Sequence, residues 1–101
     1  MAVIEIVRLR PAAGVSEQDF LAASERFEQD YMRKRTGFIR RTLLRGDNGE
    51  WVVLVDWDTA ANAEASMDAF PRDPASAPFN AVLDSDTFEM KRFIVERVFT
   101  A

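Results

Sequence analysis

Trp51 and Trp57 bracket Val53 and Val55 at alternate positions of one β-rich run. Side chains alternate along a strand, so these four share a face. If Asp47-Asn48 form a hairpin turn, the symmetric register pairs Leu44 with Trp51, Thr42 with Val53, Arg40 with Val55 and Phe38 with Trp57. An aromatic wall beside a guanidinium suits a flat ligand with an anionic substituent. The same residues also suit a packed core. A buried guanidinium requires a partner, so Arg40 is a ligand anchor or an ion pair with a helix carboxylate such as Glu64. Arg92, on the Met90–Ile94 face of a later run, would orient a phenolate or carboxylate, or pair across a dimer. Asn80 follows Phe79 in a short segment suited to closing a pocket, and Asn62 falls on the solvent side of a helix start. The candidate set for binding is therefore Trp57, Phe38, Arg40, Trp51, Asn80 and Arg92.

The chain has no histidine, which removes the commonest general base, metal ligand and haem ligand together. It has no cysteine, hence no thiolate nucleophile or disulfide. No phosphate-binding glycine loop, paired carboxylates or metal-spaced ligands are present. The expectation is a protein without cofactor or metal. A net charge of −4 argues against nucleic-acid binding, which needs a basic surface to displace counterions. The cluster Arg33, Lys34, Arg35, Arg40 and Arg41 reads as a solvated helix end. No apolar run approaches the roughly 20 residues of a membrane span, and a strand pattern begins at Val3. The expected location is cytoplasmic.

The elements that must hold the candidate residues read in order. Ala2–Arg10 is a β-branched strand apolar on both faces. Ser16 caps a helix whose stripe is Phe20, Ala23, Phe27 and Tyr31, with Val15 stapling onto Phe20 and Gly37 as the stop. The hairpin Phe38–Trp57 follows, and Asp58-Thr59 caps an alanine-rich helix that Pro71 and Asp73-Pro74 interrupt. Ala75–Leu83 supplies further helical turns with Phe79, Val82 and Leu83 inward, and Phe88–Phe99 is a long last strand.

Strand, helix, strand, strand, helix, strand is the ferredoxin-like βαββαβ order, an α+β antiparallel sheet with helices on one face. At 101 residues the expectation is one domain, residues 1–101. All four strands are apolar on both faces, while helices cover only one. A homodimer that buries the open faces resolves this, and two-fold dimers are the commonest homo-oligomers.

Arg35-Thr-Gly37-Phe38-Ile-Arg-Arg41 opening the second strand, Trp51–Trp57 in the third, the alanine-rich helix after it, and the Asp73-Pro74 and Pro78-Phe79 breaks resemble one known family. The chain is similar, over nearly its whole length, to the dimeric α+β barrel superfamily and its antibiotic biosynthesis monooxygenase-like branch. That resemblance implies a homodimer with a pocket between helices and sheet, and oxidation of polycyclic phenols to quinones without metal or flavin. It also implies that Trp57 belongs to the site as its catalytic candidate. The family's asparagine four residues earlier is Val53 here, its aromatic hydroxyl on the next helix falls near Ala63, and the histidine of haem-degrading relatives has no counterpart. The implied function is thus a cofactor-independent monooxygenase with a partly retained catalytic set. The alternative is a non-catalytic small-molecule-binding or structural homodimer of the same fold.

Overall fold

The computed structural model describes residues 1–101. Strand β1 (Val3–Leu9) leads to helix α1 (Glu17–Asp30), then to the hairpin of β2 (Phe38–Arg45) and β3 (Trp51–Trp57). Helix α2 (Ala60–Ala69), the short helix α3 (Ala77–Asn80) and strand β4 (Glu89–Ile94) complete the chain. The strands form one antiparallel sheet in the order β2-β3-β1-β4. This is the expected ferredoxin-like α+β arrangement.

Local chemistry accounts for the boundaries. The Ser16 hydroxyl accepts the Asp19 N–H, satisfying one of the orphan donors at the start of α1. Thr59 does the same for Asn62 at the start of α2. Helix α1 ends at Asp30, seven residues before Gly37, because the chain tightens into a 3-10 turn at Met32–Lys34. Gly37 then starts the hairpin with φ +82°, where a side chain would collide with Asp58 and Asn62.

The hairpin register differs from the symmetric one expected from a two-residue turn. Gly46 N–H donates to the Glu50 carbonyl, so five residues, 46–50, make the loop and Arg45 stands opposite Trp51. Leu43 then faces Val53 and Arg41 faces Val55, one residue out of the expected phase. A bulge between Phe38 and Arg40 absorbs the slip, and Phe38 still pairs with Trp57. A one-residue slip exchanges faces. Arg41 and Leu43 therefore turn to the helices. Arg40 turns away, with 70% of its side chain exposed, and bonds to Asp56 (3.3 Å).

The last strand is also shorter than Phe88–Phe99. β4 pairs only with β1, and the final bond runs from Val95 N–H to the Ala2 carbonyl. Pairing with β1 stops there, and Val98 and Phe99 stay exposed.

The covered face of the sheet carries Val3, Val7 and Leu9 from β1 and Trp51, Val53, Val55 and Trp57 from β3, all buried. Above them Phe27 stacks on Tyr31 (5.0 Å) and Phe79 (4.8 Å) and meets Phe70 edge-on (5.6 Å). Each such pair contributes about 0.5–1.5 kcal/mol beyond area burial. Ala63 is fully buried and brings α2 close to the sheet. No helix is long and apolar enough to cross a membrane.

Candidate functional site

Four residues on four strands form one cross-strand row. Arg41 pairs with Val55, Val55 with Glu5, and Glu5 with Arg92. All four lie in phase with the helix-covered side of the sheet. The neighbouring rows are apolar, Phe38–Trp57–Val3–Ile94 on one side and Leu43–Val53–Val7–Met90 on the other. The sheet thus carries a band of charge under the helices, interrupted by a single valine.

Over this band lies a cavity of about 60 Å³. Its floor includes Glu5, Arg41, Val55 and Trp57, and its roof Phe27, Tyr31, Met67 and Phe79. Phe88, 37% exposed, is its most open wall. The lining is overwhelmingly apolar, which makes the few polar groups informative.

Glu5 is 4% exposed, and its carboxylate is paired. Trp57 Nε1–H donates to Oε1 (2.9 Å), while Arg92 donates to Oε2 from Nε (3.1 Å) and Nη2 (2.9 Å). A charge taken out of water requires such partners. Arg92 also approaches Glu64 at 4.0 Å.

Arg41 is held differently. Its guanidinium lies 5.4 Å from the ring centres of both Phe27 and Phe79. Nη1 makes one long bond to the Ser24 carbonyl (3.4 Å), and Nη2 is buried without a partner. Burial pushes its pKa down, and the nearby Glu28 carboxylate pulls it part of the way back. Glu28 is raised, first by burial, with Arg41 and Arg33 opposing. Its Oε2 is likewise unpartnered. Arginine stays protonated in proteins. Arg41 is therefore an under-satisfied cation at the edge of an aromatic cavity.

Of the six candidate binding and catalytic residues, Trp57 alone lines the cavity. Arg92 reaches it through Glu5. Phe38 stands behind Trp57, ring to ring at 5.9 Å. Trp51 packs on Phe20 (5.0 Å) at the far end of the core. Asn80 is exposed at the end of α3, and Arg40 lies on the opposite face of the sheet. The structure brings in Arg41, Glu5 and Tyr31 instead. Glu5 had a visible signal, a lone carboxylate at an alternate position between Val3 and Val7. Tyr31, the chain's single tyrosine, lines the cavity and donates its hydroxyl to the Ser66 carbonyl (2.5 Å).

No protein-family model matches the sequence, and no curated protein sequence does either. Solved structures do match. SnoaB, a cofactor-independent oxygenase from Streptomyces nogalater, is 18% identical with a TM-score of 0.78 over 99% of this chain and 98% of its own. A protein provisionally named an antibiotic biosynthesis monooxygenase, from Bordetella bronchiseptica, is 17% identical with a TM-score of 0.76 over 97% and 98%. Another so named, from Chloroflexus aurantiacus, is 13% identical with a TM-score of 0.68 over 100% and 97%. At such identities the likeness establishes the fold. The chain has the ferredoxin-like α+β fold of the antibiotic biosynthesis monooxygenase-like proteins.

Proposed function

We propose that this chain is a homodimer whose cavity binds a small hydroxylated aromatic, and that its reaction is cofactor-independent oxygenation of that ligand. The observation that carries the reading is the cavity beside Trp57, roofed by stacked phenylalanines and bordered by the under-satisfied Arg41. Aromatic walls hold a flat ring, and a desolvated guanidinium favours the ionised over the neutral hydroxyl. A phenolate delocalises its charge onto ring carbons, and such a carbanion can itself reduce dioxygen. A ring CH2 and O2 then give C=O and water. Here the protein's part is to stabilise the anion and exclude solvent. SnoaB, which shares the fold, is named as an oxygenase of this type.

Dimerisation is supported by the uncovered face of the sheet. Ile4, Ile6, Val52 and Leu54 run down its middle, with Leu44 and Phe93 exposed beside them. A contiguous apolar face of this kind calls for a cover.

A second reading, binding without turnover, is favoured by Val53 and Ala63. Both are buried and apolar at the two places where the resemblance implies an asparagine and an aromatic hydroxyl. Oxygen uptake with hydroxyanthrones and naphthols separates the two. Uptake matched one-to-one by quinone supports oxygenation; saturable binding without uptake supports the second reading. Absence of binding by these and by single-ring hydroxylated aromatics overturns both.

A further inference from the structure

We propose that the ligand is a single-ring aromatic hydroxy acid, its anionic group on Arg41 and its hydroxyl donating to Glu5. This rests on the reading of the cavity as a ligand site, and goes beyond it by assigning both ends of the ligand.

The polarity follows from donor and acceptor accounting. A carboxylate offers about four acceptor positions. Glu5 uses one on Oε1 for Trp57 and two on Oε2 for Arg92, leaving one on Oε1. Glu5 lines the cavity, so that position suits an incoming O–H and repels an anion. Arg41 offers the complement. It presents Nη2 without any acceptor, and only a long bond from Nη1. An anionic group placed there gains charge-assisted bonds to Nη2 that no protein acceptor makes, against the repulsion of the nearby Glu28 carboxylate. The two ends stand one strand apart on either side of Val55, with Cα atoms about 10 Å apart at normal strand spacing. Val55 presents only methyl groups between them, a flat apolar seat for a ring.

Size narrows the class further. Benzene occupies an engineered cavity of about 150 Å³. The cavity here, about 60 Å³, is smaller, so even one ring requires the wall to give, and the flexible Met32 and Met67 side chains in that wall are the groups suited to yield. A fused polycycle would require the helices to part.

Calorimetric titration of the wild-type protein at neutral pH with 4-hydroxybenzoate, benzoate, phenol and 2-naphthol tests this. The hydroxy acid is expected to bind about ten-fold or more tightly than either benzoate or phenol. Arg41→Met should abolish the advantage of acids over phenol, and Glu5→Gln the advantage of 4-hydroxybenzoate over benzoate. The wild-type series stands alone if either variant fails to fold. Phenol or 2-naphthol binding as tightly as 4-hydroxybenzoate overturns this assignment and leaves the cavity reading intact. Binding of none of these, nor of larger hydroxylated aromatics, overturns both.

Discussion

Arg41 and Glu5 stand on one cross-strand row, separated only by Val55, and both border the same cavity. One is a cation short of partners; the other is a carboxylate whose partners leave one acceptor position open. The sheet therefore sets the distance between the two ends of the site, and a rigid floor holds it better than loops would.

Val55 is the direct handle on that floor. Val55→Phe is expected to fill the space between Arg41 and Glu5 and abolish aromatic binding. Overpacking should cost about 1–3 kcal/mol, so the variant remains folded. Urea denaturation and calorimetric titration together check both parts.

The Glu5 cluster makes a stability prediction. Removing the indole N–H with Trp57→Phe should cost about 1–3 kcal/mol, since a buried carboxylate loses one donor. Arg92→Met removes its only cationic partner and should cost about 3–5 kcal/mol. Equal, small effects in urea melts would show that Glu5 is solvated through another route.

Glu28 makes a pH prediction. Burial raises its pKa, so the folded chain keeps a proton that the unfolded chain has released. This component of stability falls as pH rises from the ordinary carboxylate range to the raised one. Glu50 works in the opposite sense, its pKa held low first by the hydrogen bond from Arg8, so variant and wild type must be compared at each pH. The Tm of Glu28→Gln minus that of wild type should climb as pH rises through that interval. A flat difference would contradict it.

Leu54 and Leu43 test the faces of the sheet. Leu54→Asp lies on the uncovered face and should convert a micromolar dimer to a folded monomer in sedimentation. Leu43→Asp places a charge against the core and should unfold the chain. A wild-type protein that sediments as monomer would refute the dimer.

Element order was legible because the β-branched runs, the helical stripe Phe20, Ala23 and Phe27, and the caps at Ser16 and Thr59 are strong local signals. The positions of Arg40 and Arg41 were not. Adjacent arginines carry no periodic information. A five-residue loop closed by Gly46 and Glu50, with Gly49 at φ +82°, competes with a two-residue turn using the same residues. The compensating bulge near Ile39 left Phe38 opposite Trp57 in either register. The end of β4 depended on how far it pairs with β1, a tertiary fact. Trp57, singled out through the family resemblance, keeps to the covered face in either register. Glu5 was readable from alternation, but its pairing with Arg92, 87 residues away, emerges only from the fold.

Trp57 also provides the most direct test, because the chain has only two tryptophans and Trp51 lies outside the cavity. In a Trp51→Phe background, emission from Trp57 can be followed during titration with a hydroxylated aromatic acid. The account predicts a saturable change that Arg41→Met shifts to about ten-fold higher ligand concentration or more. No saturable change, or a curve that Arg41→Met leaves in place, would contradict it.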